Sequence, residues 1–229
     1  DLMTDKVNLL VIGEGGREFA IAKKLKESTS VDHVYCAPGN VGMPSVGVEP
    51  VAIAENDFAG LIKFAKDHDI KWTFVGPEDC LVDGIVDDFH AAGLKIFGPD
   101  ARAAQLEGSK DYALNFMNNY GVPTAKHASY RDQTAILEHV DQFGYPVVIK
   151  ENGLAGGKGV VIAQDHDAAV QTIKEMFASG QARIVLEECL NGPEYSMFVV
   201  ISNGHYRILP MAQDHKRAYD GDKGPNTGG

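Results

Sequence analysis

Apolar residues along the chain come in short β-branched runs, separated by turn residues and by stretches with helical spacing. Residues 7–12 form one such run, a strand pattern, and residues 19–25 repeat their apolar positions at helical spacing. The pattern recurs with a strand at 34–36, a helix at 58–66, a strand at 72–75, a helix at 81–92 and a short strand at 96–97. Alternating strands and helices predict an α/β fold with a parallel sheet and helices on both faces. Gly98-Pro99 closes this first unit. Helical stretches follow at 101–106 and 110–120, with Ser109 as N-cap of the second. From Thr124 a smaller α+β unit is expected. It runs as strand 125–129, helix 134–143, strands 147–149 and 160–162, helix 168–177 and strand 183–187. Strands 196–202 and 205–211 then make a hairpin about Asn203-Gly204. The chain shows no internal repeat and no low-complexity tract.

Composition narrows the function classes. The 229 residues are 44% hydrophobic and 23% charged, as in an ordinary globular protein able to bury a core. A net charge of −11 argues against a nucleic-acid or anionic-membrane partner, while leaving room for local basic pockets. Cys36, Cys80 and Cys189 form no CxxC pair and no metal-ligand spacing, which suits free thiols in a reducing cytosol. No run approaches the roughly 18 apolar residues of a membrane span, and no signal peptide precedes the first strand. Asp1-Leu2 reads as a remnant before a native start at Met3, and the glycine-rich turn at 224–229 reads as a cut.

The densest chemistry lies at residues 147–161, where a strand ending in Lys150 meets a loop holding Gly153, Gly156, Gly157, Lys158 and Gly159, then a second strand. Glycines let backbone amides approach phosphate oxygens, and two lysines balance their charge. The order strand–loop–strand, with Gly159 after Lys158, excludes a P-loop, which runs into a helix and needs Ser or Thr there. A glycine-rich surface hairpin is the alternative. A second candidate is the turn Gly13-Glu14-Gly15-Gly16-Arg17-Glu18, a strand leading to a helix N-terminus and so an anion site. It is a poor dinucleotide fingerprint: Glu18 stands at the third glycine position, and strand 34–36 leads into Ala37 with no ribose-binding acid. A phosphate-bearing small molecule fits it better. Two further turns, Pro38-Gly39-Asn40 and Gly76-Pro77-Glu78, also follow strands, and ligands of parallel sheets sit at that edge. Lys110 in a first helical turn opposes the dipole, which suggests a functional use.

The order of these pieces is more specific than any one of them. VIGEGGRE (11–18), APGN (37–40), VGPE (75–78), IFGP (96–99), AAQLEGSK (103–110), QDHKR (213–217) and GPNTGG (224–229) together resemble the phosphoribosylamine–glycine ligase (glycinamide ribonucleotide synthetase) family of the ATP-grasp superfamily. The resemblance covers nearly the whole chain from Val7. It implies a Rossmann-like pre-ATP-grasp parallel-sheet domain at 1–100 and a helical linker with the first part of the ATP-grasp fold at 101–123. A small α+β lid subdomain would occupy 124–190, and the start of a larger antiparallel-sheet subdomain 191–229. It also implies ATP-dependent joining of glycine to 5-phosphoribosylamine through a glycyl phosphate, with Mg²⁺ or Mn²⁺, in a cytoplasmic monomer whose partners are small molecules.

Roles follow residue by residue from that resemblance. Lys110, Lys150, Gly156, Gly157, Lys158 and Gly159 would meet ATP phosphates. Glu187, Glu188, Cys189 and Leu190 would present backbone to adenine, and Glu194 would accept from ribose. Gly15, Gly16, Arg17, Glu18, Asn40, Pro77 and Glu78 would hold phosphoribosylamine. Asp214, Lys216 and Arg217, with Asp214's neighbour His215, would line the reaction centre, and Asn226, Thr227 and Gly228 the glycine site. Three departures stand out. Phe19 replaces the usual His, Asp79-Cys80 replaces Ala-Pro, and the family's Glu and Asn metal ligands fall beyond Gly229, so the residues present would bind without turning over. Asp214, Asp220 and Asp222 match other family positions. The competing readings are another ATP-grasp ligase of purine intermediates, a Rossmann oxidoreductase, or a non-catalytic nucleotide-binding fragment. No Ser–His–Asp or Cys–His arrangement is in view, which suits chemistry based on positioning and charge neutralisation.

Overall fold

The computed structural model describes residues 5–152, 159–221 and 223–226. It divides into two compact units, residues 1–116 and 117–229. Among the described residues, the first unit is built on a five-stranded parallel sheet, β1 (Val7–Gly13), β2 (Val31–Pro38), β3 (Glu49–Pro50), β4 (Ile70–Val75) and β5 (Ile96–Phe97), in the order β3-β2-β1-β4-β5.

Successive side chains of β1 point to opposite faces, and the two faces bury different clusters. Leu9 and Val11 pack with Val34, Cys36, Met43, Val48 and with Ala22 of α1 (Gly16–Lys26). Leu10 and Ile12 pack with Leu61 and Ala65 of α2 (Phe58–Asp67). The second cluster also takes Cys80 of α3 (Glu78–Val82) and Ile85, Val86 and Phe89 of α4 (Ile85–Ala91). A strand buried on both faces has to be apolar, which is why residues 9–12 show no alternation. After β5 come α5 (Ala101–Gly108) and α6 (Lys110–Asn119). The Ser109 hydroxyl accepts from the Tyr112 amide at 3.2 Å, as an N-cap should.

The second unit opens with β6 (His127–Tyr130) and α7 (Gln133–His139). It continues with β7 (Val147–Glu151), β8 (Val160–Ala163), α8 (His166–Ala178) and β9 (Ile184–Glu188). These strands form an antiparallel sheet in the order β6-β9-β7-β8. Ile136, Ala169, Ile173 and Met176 from α7 and α8 cover one face, against Val147, Ile149, Ala163, Ile184 and Leu186. A hairpin of β10 (Val199–Ser202) and β11 (His205–Ile208) follows, then the antiparallel pair β12 (Arg217–Tyr219) and β13 (Lys223–Asn226).

The differences from the sequence pattern have local causes. The helix expected at 81–92 is two helices, because Gly84 takes a left-handed φ of 92° between them. The helix expected at 134–143 ends at His139, and Val140–Phe143 tightens into a 3₁₀ turn. The strand expected at 196–202 is regular only from Val199, with Ser196 paired separately to Ala212. Four helices start at an aspartate whose carboxylate accepts from the N3 amide: Asp57, Asp100, Asp132 and Asp165. None of these caps is singled out by hydrophobic periodicity. Among the described residues, no helix is long and apolar enough to cross a membrane.

Candidate functional site

The face of the second sheet away from α7 and α8 carries the nucleotide candidates. Alternation along β7 turns Val147 and Ile149 towards the helices and Val148 and Lys150 the other way; along β9 it turns Val185 and Glu187 the same way. Val160 and Ile162 of β8, 40% and 46% exposed, extend this face. It is therefore an apolar strip bearing one ion pair. The Lys150 Nζ lies 2.6 Å from Glu187 Oε2, with the lysine side chain 27% and the glutamate 10% exposed. A cation held on a partly desolvated apolar platform is suited to an anionic ligand with a flat ring system.

The expected backbone contacts to adenine are narrowed by the register. Glu187 lies opposite His127 on one side and Val148 on the other, so its backbone is inside the ladder and its carboxylate is what it presents. The Glu188 amide donates to the Lys126 carbonyl at 2.9 Å, and its carboxylate accepts from the Lys126 amide at 2.8 Å. Of the four residues only Cys189 and Leu190 lie past the strand end. The Gly159 carbonyl accepts from the Glu151 amide at 2.8 Å, closing the base of the glycine loop. Gly156, Gly157 and Lys158 fall outside the described residues. Lys110 begins α6 in the first unit.

In that first unit the three strand-end turns are stitched together. The Gly39 amide donates to the Gly13 carbonyl at 3.1 Å and the Gly76 amide to the Ile12 carbonyl at 3.0 Å. The Asn40 side chain donates to the Glu14 carbonyl at 2.8 Å and accepts from the Gly42 amide at 3.0 Å. Arg17 stands among them, its side chain half exposed, with Nε 2.7 Å from Glu18 Oε1 and Nη1 3.5 Å from Glu78 Oε1. Partial burial disfavours its charge, but the hydrogen bond and charge of Glu18 outweigh this and raise its pKa. Gly15 and Gly16 open α1, and Pro77 precedes Glu78 at the start of α3. Glu18, expected as a substrate ligand, is only 4% exposed.

Phe19 packs with the Leu9–Val11 cluster, so it serves the core where the family has a polar ring. Cys36 and Cys80 are buried and donate to the carbonyls of Gly13 and Glu55, each at 3.3 Å. Burial, aided by nearby carboxylates, pushes both thiols up to about 12, so neither is a nucleophile.

Of the remaining expected residues, Glu194, Asp214 and Lys216 come together in the second unit. Reciprocal bonds between Ser196 and Ala212, at 2.7 and 3.0 Å, lay the 194–196 segment beside 212–216. Lys216 Nζ then reaches Glu194 Oε1 at 2.5 Å and Asp214 Oδ2 at 3.9 Å. The Glu194 hydrogen bond holds the lysine's pKa above its usual value. Arg217 faces Asn226 across β12–β13, and its guanidinium donates to the Gly224 carbonyl at 2.9 Å. Thr227 and Gly228 lie outside the described residues. The Glu194–Lys216 link has no signal in the sequence, because the residues sit on segments brought together by the Ser196–Ala212 bridge.

Comparisons with known proteins give the family. Residues 7–107 match the N domain of phosphoribosylglycinamide synthetase, and residues 108–229 its ATP-grasp (A) domain. A phosphoribosylamine–glycine ligase of Streptococcus pneumoniae is 52% identical over 97% of this chain and 54% of its own length. One from Streptococcus suis is 51% identical with the same coverage. The chain thus spans about half the length of these curated relatives. Among solved structures, phosphoribosylamine–glycine ligase of Thermotoga maritima superposes with a TM-score of 0.77 at 30% identity, over 96% of this chain and 54% of that one. An N5-carboxyaminoimidazole ribonucleotide synthetase from Thermus thermophilus, at 17% identity and a TM-score of 0.64, shares the fold over 89% of this chain and 53% of its own. The chain belongs to the phosphoribosylglycinamide synthetase family, its two units carrying the parallel-sheet N domain and an ATP-grasp A domain.

Proposed function

We propose that this chain supplies the amine-substrate and nucleotide surfaces of a cytoplasmic, ATP-dependent carbon–nitrogen ligase. The reaction joins glycine to 5-phosphoribosylamine, giving glycinamide ribonucleotide, ADP and phosphate. The observation that carries this reading is Lys150 paired with Glu187 on the apolar face of an ATP-grasp sheet. Adenine would lie along Val148 and Ile162, edged by the backbone of Cys189 and Leu190, with its phosphates towards Lys150. Lys110, Lys158 and the amides of Gly156, Gly157 and Gly159 would complete the phosphate contacts, and Glu194 would accept from ribose. Gly15, Gly16, Arg17, Asn40, Pro77 and Glu78 would hold phosphoribosylamine. Asp214, Lys216, Arg217, Asn226, Thr227 and Gly228 would hold glycine.

The chemistry this assigns is transfer of the ATP γ-phosphoryl group to the glycine carboxylate. The amine then attacks the acyl carbon and phosphate leaves. Two anions must meet in the first step, so the fixed cations Lys150 and Lys216 neutralise charge and position the partners. Among the described residues, no group of three or more His, Cys, Asp or Glu is placed to hold a metal ion. The family implies Mg²⁺ or Mn²⁺ alongside ATP in the full-length enzyme, where it would neutralise phosphate charge, and no ligand for it is assigned among the described residues. The proposed organisation keeps a substrate domain at 1–100, a linker at 101–123, a lid at 124–190 and part of a larger subdomain from 191, acting as a monomer.

A thermal-shift titration separates this from an oxidoreductase. ADP is expected to raise the melting temperature of the second unit, while NADH and GTP leave it unchanged at equal concentration. Equal shifts with NADH and ADP would sink the ATP-grasp reading.

A further inference from the structure

We infer that Glu18 is a positioning residue of the phosphoribosylamine site: its buried carboxylate bridges the Gly15 amide and the Arg17 guanidinium and fixes the cation that meets the substrate. The inference rests on the substrate assignment proposed above and changes the part Glu18 plays in it. Glu18 Oε2 accepts from the Gly15 amide at 2.8 Å, and Oε1 accepts from Arg17 Nε at 2.7 Å. With 4% exposure and a hydrogen bond on each oxygen, the carboxylate is turned inward to the turn and not outward to a ligand.

A carboxylate this buried is costly unless paired, and here an N-terminal helix amide and a guanidinium pair it. The chain also makes room for it. A Cβ on Gly76 would lie 2.0 Å from Glu18 Oε1, and one on Gly13 would lie 2.5 Å from Glu18 Cγ. The ends of β1 and β4 both lack side chains where Glu18 passes between them, so the residue ties two turns of the site together. On Arg17, a bond at Nε fixes the plane of the guanidinium; Nη1 also meets Glu78 Oε1 at 3.5 Å, which leaves Nη2 and the second Nη1 hydrogen as donors towards an oxyanion. A cation oriented before binding loses less rotamer freedom when the phosphate arrives. The same geometry weighs against a dinucleotide at this turn. The Gly15 amide, which a pyrophosphate would use, already serves an internal anion.

The test is calorimetric titration of the chain with ribose 5-phosphate. Arg17→Ala is expected to weaken binding strongly, and this arm tests the substrate assignment itself. Glu18→Gln keeps an oxygen for the Gly15 amide but turns an NH₂ towards Arg17. It is expected to weaken binding about tenfold with the melting temperature nearly unchanged. In the Arg17→Ala background the same change should cost nothing further, since the arginine it orients is gone. Wild-type affinity in Glu18→Gln, or an equal loss in both backgrounds, would overturn the positioning role while leaving the assignment intact. No binding by the wild type, or an Arg17→Ala variant that binds like it, would overturn the assignment and the inference together.

Discussion

Replacing Lys150 with glutamate is expected to abolish ADP binding. The lysine Nζ sits 2.6 Å from a carboxylate that is only 10% exposed, so the reversal sets two partly buried anions side by side. Charge-assisted hydrogen bonds to phosphate are worth about 1.5–3 kcal/mol, and their loss combined with repulsion amounts to a hundredfold or more in Kd. A neutral variant, Lys150→Gln, separates the contributions: it loses the attraction without adding the repulsion, and should retain weak binding. Calorimetric titration of ADP into each folded variant makes the comparison. An unchanged Kd in Lys150→Glu would reduce the lysine to an exposed strand-end charge.

The largest expected effect on stability comes from the opposite side of the same strand pair. Leu186 is fully buried, lies between Ile149 and Ala128 in the register, and packs under α7 and α8. Truncating it to alanine leaves a cavity that the sheet and helices cannot fill, at a cost of about 2–5 kcal/mol. A domain is stabilised by only about 5–15 kcal/mol in total, so this is a large fraction. Denaturant unfolding followed by circular dichroism should show the second unit melting at much lower denaturant. Ile162→Ala on the open face is the contrast. Its side chain is 46% exposed, and its removal is expected to change stability by no more than about 0.5 kcal/mol. Equal losses in the two variants would mean that the sheet's faces are not divided into core and platform.

What the sequence revealed follows from how each feature is encoded. The β1 strand is legible because burial on both faces demands an apolar run, and residues 9–12 supply one after Asn8. The break at Gly84 is not, because the flanking residues keep helical spacing on either side of it. The site divides in the same way. Arg17, Asn40 and Glu78 could be picked from their turns, since strand ends in a parallel sheet are where ligands collect. The burial of Glu18 has no mark in its turn, because the space it occupies is left by Gly76, remote in sequence. The pairing of Glu187 on both sides, and its ion pair with Lys150, depend on strands remote in sequence and leave no mark in its own stretch. Lys216 and Glu194, 22 positions apart, meet only through the folded 212–216 segment.

Two places in this chain could receive an adenine nucleotide: the open face of β6-β9-β7-β8, and the glycine turn between β1 and α1. Locating bound ADP decides between them. Amide chemical-shift mapping of the ¹⁵N-labelled chain during an ADP titration, with Lys150→Gln as control, gives that location directly. The shifts are expected on Val148–Lys150, Val185–Glu187, Cys189 and Leu190, and should vanish in the variant. Shifts centred on Gly13–Glu18, unaffected by Lys150→Gln, would contradict the account and place the nucleotide in the parallel-sheet unit.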